Sequence, residues 1–177
     1  VLRDQDVTIE GHIAFGRLFG ELELHPFTEG IEGYPEIVKL EAGGDSGSRF
    51  VAAGWHSDVT WRAEPSMGSI LRGRIVPDVG GDTCFADATA AYDRLDKELK
   101  SIVDDAFAIH DYMRVFGSRV NPAEVDETRA KYPAQRHPVI RTHPETGARG
   151  IYTNIGFTSH IEGMGADESK RILARLE

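Results

Sequence analysis

The sequence is most informative between residues 55 and 61, which read Trp55-His56-Ser57-Asp58-Val59-Thr60-Trp61. Valine, threonine and tryptophan are common around this run, so we predict a strand over Val51–Trp61. Residues i and i+2 of a strand project from one face, and His56 and Asp58 would therefore aim an imidazole and a carboxylate at one point. Such a pair supplies two of the three ligands of a 2-His-1-carboxylate metal site. A surface histidine beside a solvated aspartate gives the same spacing, so the neighbouring sequence must decide.

Composition excludes several classes of function. The chain has 177 residues, 40% of them hydrophobic, which is enough for one domain with a sizeable core. Its 29 acidic and 20 basic residues give a net charge of -9, which argues against nucleic acid or an anionic membrane as the main partner. A small anionic ligand needs only one or two local cations. The single cysteine, Cys84, favours a reducing, cytoplasmic compartment, and its apolar neighbour Phe85 indicates a buried, inert thiol.

Hydrophobic periodicity and turn residues predict a mixture of short elements. Helices are expected at four places: 9–19, Asp87–Ala108, Asn121–Lys131 and a final one capped by Asp167. Besides Val51–Trp61, strands are expected at Ile37–Leu40, Ser69–Val76, Val139–Thr142 and Gly150–Asn154. Strands and helices do not alternate regularly, so the pattern indicates an α+β or mainly β architecture and not a doubly wound sheet.

Further motifs follow the His-x-Asp pair in a characteristic order. They are PxxGGDT at 77–83, AYDRL at 91–95, HPVIRTHPETG at 137–147 and NIGFT at 154–158. Together with WHSDVTW, this order closely resembles the taurine dioxygenase family of 2-oxoglutarate-dependent oxygenases, from Val1 to the last helix. The resemblance implies a double-stranded β-helix (jelly-roll) core with flanking helices. We expect residues 1–177 to be one oxygenase domain, incomplete at the N-terminus and the C-terminus.

The resemblance also implies the cofactors, which are Fe(II), 2-oxoglutarate as co-substrate and O2. His56 and Asp58 match the first two iron ligands of the family, and Thr83 matches a hydroxyl that hydrogen-bonds 2-oxoglutarate. The alternative for Thr83 is that it only closes its turn. None of the other histidines lies in the motif of the third ligand, so we expect that histidine, and an arginine for 2-oxoglutarate, beyond Glu177.

The same resemblance implies a substrate pocket. His25 matches a histidine that donates to a sulfonate oxygen, and Val59, Phe116 and Phe157 match apolar residues of the pocket wall. Plain core packing is the alternative for these three.

The sequence departs from the taurine dioxygenase pattern at Thr28, Val51 and Trp61, which puts taurine itself in doubt. We predict hydroxylation of a small organic anion, with a sulfonate such as taurine and release of sulfite as the leading hypothesis. The alternatives are an alkyl sulfate, an aryloxyalkanoate or a specialised metabolite, and a non-catalytic binding protein on the same fold. A homo-oligomer without nucleic-acid or membrane partners is expected.

Overall fold

The computed structural model describes residues 1–25, 28–41 and 54–177, and the chain divides into two compact units. The first unit takes in the described residues up to 41 together with Ser69–Arg72. The second takes in residues 54–68 and 73–177. Within the described ranges, no helix is long and apolar enough to cross a lipid bilayer.

The first unit contains helix α1, Ile9–Arg17, which confirms the helix predicted from residue 9. The Thr8 hydroxyl caps α1 by accepting from the backbone N–H of Gly11 at 3.1 Å. The strand predicted at Ile37–Leu40 is wrong. Residues 37–40 belong to no strand, and the Ile37 carbonyl accepts from the N–H of Ile31 at 2.9 Å.

The second unit contains the remaining described helices. They are α2 (Ala88–Arg94), α3 (Lys97–Val103), α4 (Met113–Phe116), α5 (Val125–Lys131) and α6 (Ala166–Leu176), with 3₁₀ turns at Gly117–Arg119 and Pro122–Glu124. The strand predicted at Ser69–Val76 is wrong, because its apolar side chains are not buried against a sheet. Ile75 and Val76 are 96% and 71% exposed.

The single helix predicted over Asp87–Ala108 is also wrong, because it breaks in the middle. Leu95 adopts an extended backbone, with ψ 141°, and ends α2. Asp96 then caps α3, its carboxylate accepting from the N–H of Leu99 at 2.7 Å. An aspartate that offers this bond competes with continuation of the helix.

The two later helices begin near their predicted positions. Asn121 accepts from Ala123 N–H at 3.1 Å and Pro122 follows it, which confirms the predicted cap and leads into α5. For α6, the predicted cap is wrong. Gly165 is at the N-cap position and Asp167 lies in the first turn, where its charge is favourable to the helix dipole.

A three-stranded antiparallel sheet lies in the second unit. Its strands are β2 (Gln135–Pro138), β1 (Phe107–His110) and β5 (Thr158–Ile161), with β1 in the middle. A bulge interrupts the β1–β5 register: Ile109 is opposite His160, but His110 is opposite Thr158. A separate hairpin pairs β3 (Ile140–Thr142) with β4 (Arg149–Ile151). Both hairpin strands overlap predicted strands.

The main core forms where α3 and α6 pack with β1, β5 and the segment that leads into β3. Its buried members include Val103, Val139, Ile161, Ile172 and Leu173. Burial of each such side chain contributes about 1.5–3 kcal/mol relative to an exposed one. Helices combined with antiparallel sheets confirm the mixed fold class predicted from the sequence.

Candidate active site

The His56–Asp58 pair lies in an exposed turn, with its two functional atoms close together. His56 Nε2 is 3.4 Å from Asp58 Oδ1, and the side chains are 40% and 64% exposed. Nδ1 of His56 lies 2.8 Å from the carbonyl oxygen of Gly54, so this nitrogen donates and carries the hydrogen. In the neutral form of the ring, Nε2 then presents its lone pair on the side of the Asp58 carboxylate. Two acceptors at this distance are stabilised by a cation between them.

The strand predicted at Val51–Trp61 is wrong where the structure describes it, from residue 54 onward, and Val51 lies outside the described residues. The chain forms a turn in which Arg62 N–H donates to the Val59 carbonyl at 2.9 Å. Val59 adopts a left-handed φ of 48°, which is rare for a β-branched residue. Thr60 and Trp61 are both buried, at 0% and 4% exposure, which the two-residue alternation of a one-sided strand does not allow.

The hydroxyl of Thr60, in the same turn, belongs to a buried network of hydrogen bonds. Its Oγ1 lies 2.8 Å from Nδ1 of His110 and accepts from Nδ2 of Asn154 at 3.1 Å. Asn154 Oδ1 accepts from the N–H of Phe157 at 2.8 Å, which fixes the orientation of the amide. The hydroxyl of Thr158 accepts from the N–H of Asn154 at 2.9 Å and lies 3.5 Å from His110 Nε2. The network thus joins β1, β5 and the segment between β4 and β5 to the turn.

His110 is the titratable member of this network. Burial, and secondarily the electrostatic interaction with the nearby His137, lowers its pKa from 6.5 to about 4. The imidazole is therefore neutral at neutral pH and acts through hydrogen bonds. Its ring is edge-on to His137 at 5.2 Å and stacks on Tyr152 at 5.9 Å. His137 in turn places Nε2 2.9 Å from the carbonyl oxygen of Arg62, at the far end of the turn.

The sequence did not indicate a role for His110 or Thr60. The NIGFT motif did contain Asn154 and Thr158, although only Phe157 was assigned a role in it. The predicted helix over Asp87–Ala108 ends two residues before His110, and no strand is predicted there, so the sequence does not show that His110 lies on strand β1.

Three of the predicted substrate residues come together in the second unit. Trp61, Tyr112 and Phe157 form a buried aromatic cluster, and Val59 and Phe116 pack against it. The ring centroids of Phe116 and Phe157 are 6.0 Å apart. Val59, Phe116 and Phe157 therefore belong to one hydrophobic cluster beside the His56–Asp58 turn, an arrangement that core packing also predicts.

Thr83 and Cys84 lie in an exposed segment that precedes α2 and belongs to no helix or strand. Gly80 and Gly81 have φ angles of 80° and 75°, which fits the turn predicted there. The prediction of a buried thiol is wrong, because Cys84 is exposed and the adjacent Phe85 is 82% exposed.

His25 belongs to the first unit, whereas the other candidate residues belong to the second. Its Nδ1 accepts from the backbone N–H of Thr28 at 3.0 Å. Both residues line a surface cavity of about 310 Å³ that is also bordered by Leu24, Ile31 and Pro35.

Over residues 1–25, 28–41 and 54–177, no three His, Cys, Asp or Glu side chains converge as a metal cluster. In this part of the chain, the candidate metal site consists of the two atoms contributed by His56 and Asp58.

Comparison with known proteins gives two relatives that are both named as alpha-ketoglutarate-dependent dioxygenases. The chain is 32% identical over 185 residues to the (S)-phenoxypropionate/alpha-ketoglutarate-dioxygenase of Sphingobium herbicidovorans, which covers 99% of this chain and 64% of that protein. It is 31% identical over 170 residues to the alpha-ketoglutarate-dependent sulfate ester dioxygenase of Pseudomonas putida, which covers 92% of this chain and 55% of that protein.

A solved structure agrees with these relatives. The crystal structure of AAD-2 in complex with Mn(II) and N-oxalylglycine matches with a TM-score of 0.76 and 30% identity, covering 98% of this chain and 61% of that one. The chain thus spans less than two thirds of the length of the proteins that it matches. Residues 1–177 match the sequence model of a protein family that is described as "Taurine catabolism dioxygenase TauD, TfdA family". The resemblance drawn from the sequence is confirmed, and the chain belongs to this family of dioxygenases.

Proposed function

We propose that this chain is part of an Fe(II)- and 2-oxoglutarate-dependent dioxygenase that hydroxylates a small organic anion. The observation that carries the proposal is the 3.4 Å separation of His56 Nε2 and Asp58 Oδ1 in a chain of this family. Donor atoms that share one ion at about 2.1 Å each must lie within about 4.2 Å of one another, a condition that this pair meets.

His56 and Asp58 would hold the iron. The Gly54 carbonyl would keep the His56 ring in the tautomer that offers Nε2, as carbonyl partners of metal-bound histidines commonly do. A neutral imidazole with an anionic carboxylate suits Fe(II). We propose that the third ligand is a histidine outside these 177 residues. When bound, iron with 2-oxoglutarate supplies the activation of O2 that oxidises a substrate C–H bond, and 2-oxoglutarate leaves as succinate and CO2.

Thr83 would donate its hydroxyl hydrogen to a carboxylate oxygen of 2-oxoglutarate, together with an arginine outside these residues. Exposure of Thr83 leaves its hydroxyl accessible to a ligand. The solved relative is in complex with Mn(II) and N-oxalylglycine, which supports the binding of a metal and a dicarboxylate.

His25 would bind the anionic group of the substrate. An imidazole can offer an N–H to an anion, and the contact of His25 Nδ1 with the N–H of Thr28 at 3.0 Å orients the ring. The hydrophobic cluster that contains Val59, Phe116 and Phe157 would exclude water from the reacting carbon.

A sulfonate such as taurine, released as sulfite and an aldehyde, is the leading substrate class. An alkyl sulfate or an aryloxyalkanoate is the second candidate, and two observations favour it. Relatives are named for a sulfate ester and for phenoxypropionate, and Thr28 and Trp61 depart from the taurine pattern.

The remaining predictions from the sequence concern the whole protein. We propose that residues 1–177 belong to one oxygenase domain with a jelly-roll core, which the match to the family over this range supports. A cytoplasmic location stays a prediction from cysteine usage, and the absence of nucleic-acid and membrane partners stays a prediction from the net charge of -9. A homo-oligomer also stays a prediction.

Succinate formation by the complete protein tests the proposal. With Fe(II), 2-oxoglutarate and O2, we expect succinate to depend on one member of a panel of taurine, other sulfonates, alkyl sulfates and aryloxyalkanoates. His56→Ala should abolish this, while His160→Ala, at an exposed histidine of β5, should not. Absence of turnover with every compound, together with no specific Fe(II) binding, would favour a non-catalytic binding protein.

A further inference from the structure

The hydroxyl of Thr60 is the point at which the exposed ligand turn is attached to the interior. Its two partners are His110, 50 positions later, and Asn154, 94 positions later. All three side chains are buried, with exposures of 0%, 0% and 2%. Hydrogen bonds in such a setting are costly to leave unmade, so they hold the backbone at Thr60 in place.

The direction of these bonds follows from the surroundings. Asn154 Oδ1 is occupied by Phe157 N–H, so its Nδ2 is the donor to Thr60 Oγ1. Thr60 can then donate its own hydrogen to Nδ1 of His110. Nε2 of the neutral ring carries the remaining hydrogen, on the side of Thr158.

A second attachment lies two residues further along, where His137 Nε2 contacts the Arg62 carbonyl at 2.9 Å. Between the attachments and the ligand pair is Val59, whose left-handed φ of 48° turns Thr60 inward. A β-branched residue keeps such a conformation only where its surroundings impose it. The Thr60 hydrogen bonds therefore help to determine the backbone direction from which Asp58 leaves the turn.

We propose that Thr60, held by His110 and Asn154, is a positioning residue for the His56–Asp58 ligand pair. The inference rests on the metal site of the proposed function and adds residues that the metal does not touch. Loss of the hydroxyl should widen the range of His56–Asp58 separations and weaken metal binding by about tenfold, the lower end of the effect of outer partners on metal affinity.

The test compares two substitutions that differ in one group. Thr60→Val keeps the shape and removes the hydroxyl, and Thr60→Ser keeps the hydroxyl and removes a methyl group. Ser169→Ala is the control, because Ser169 is equally buried, accepts from Ile161 N–H at 2.8 Å and lies in α6, outside the network. Anaerobic titration of the complete protein with Mn(II), followed by the electron paramagnetic resonance of the free ion, measures affinity, and thermal unfolding measures stability.

We expect Thr60→Val to raise the Mn(II) dissociation constant about tenfold, Thr60→Ser to change it less than about twofold, and Ser169→Ala to lower only the unfolding temperature. Equal affinities for Thr60→Val and wild type, or an equal loss in Ser169→Ala, would overturn the inference. If Thr60→Val does not fold, His110→Phe removes the other partner of the same bond and has the same expected direction. Wild-type protein that binds Mn(II) no better than His56→Ala would instead contradict the metal site itself.

Discussion

The guanidinium of Arg149 donates to both a side-chain oxygen and the backbone carbonyl oxygen of Asp104, at 3.1 and 3.2 Å. The other carboxylate oxygen of Asp104 accepts from the Tyr92 hydroxyl at 2.9 Å. Through one carboxylate, strand β4 is therefore connected to helix α2 and to the end of α3.

Replacement of Asp104 by alanine should lower the free energy of unfolding by about 1–3 kcal/mol, because two partly buried donors lose their acceptor. Urea denaturation measures this difference. Asp105→Ala is the matched control, since the neighbouring Asp105 is exposed, and it should change stability by less than about 0.5 kcal/mol. Equal effects of the two substitutions would contradict the structural role of Asp104.

The cap of α3 gives a second prediction. Asp96→Ala removes the acceptor of Leu99 N–H and should destabilise the protein by about 1 kcal/mol. Asp96→Asn keeps an acceptor and loses only the charge of an exposed pair with Arg175, so it should cost about 0.5 kcal/mol or less. Chemical denaturation of both variants distinguishes a cap from an ion pair. A larger loss in the asparagine variant would show that the ion pair dominates.

The third prediction concerns the main core. Ile161 is fully buried in β5, and Ile161→Ala should cost about 2–5 kcal/mol because it leaves a cavity between the sheet and α6. Ile155 is 52% exposed, and Ile155→Ala should cost far less. Thermal unfolding of the two variants checks the ranking. Similar unfolding temperatures would be incompatible with this core.

The pH dependence of stability depends on His110. Because its pKa falls from 6.5 to about 4 in the folded protein, the unfolded chain takes up a proton in this interval and the folded protein does not. The neutral His110 ring therefore makes its full contribution to the free energy of unfolding above about pH 6.5. This contribution is lost as pH falls toward 4, by at most about 1.4 kcal/mol per pH unit.

Urea denaturation between pH 4 and 6.5 should show a steeper pH dependence for wild type than for His110→Phe. Parallel curves for the two proteins would mean that the imidazole is accessible to protons in the folded state.

The last prediction concerns the 2-oxoglutarate contact proposed for Thr83. Thr83→Val should raise the KM for 2-oxoglutarate by about tenfold or more, the value of a hydrogen bond to a charged group. Thr83→Ser retains the hydroxyl and should remain within about threefold of wild type. Initial rates of succinate formation measure both. An unchanged KM for 2-oxoglutarate in the Thr83→Val variant would contradict the proposed hydrogen bond, and Thr83 would then only close its turn.

Local sequence signals predicted the elements that local interactions determine. Helix α1 begins after Thr8 and the helical segment of α5 follows Asn121-Pro122, where side chains cap the backbone. The hairpin strands β3 and β4 were anticipated from their turn. The His56–Asp58 pair was found because its motif is contiguous.

Elements that depend on distant partners were missed. Strand β2 reads Gln135-Arg136-His137-Pro138, which has no strand propensity, and it is a strand because it pairs with β1. The segment around Val59 has strand-forming residues, yet it turns because Thr60 finds its partners on β1 and next to β5. His110 joined the site only through tertiary structure, so no pattern in one sequence could identify it.

The bulge between β1 and β5 determines which side chain meets His110. Because Ser159 is the extra residue, Thr158 is opposite His110 and its hydroxyl reaches the network. An uninterrupted ladder would place Ser159 opposite the imidazole and turn Thr158 to the other face of the sheet. The network therefore depends on the irregular backbone at Ser159 as well as on its own side chains: a regular ladder that kept Ser159 would change no member of the network, yet it would disconnect Thr158 from His110.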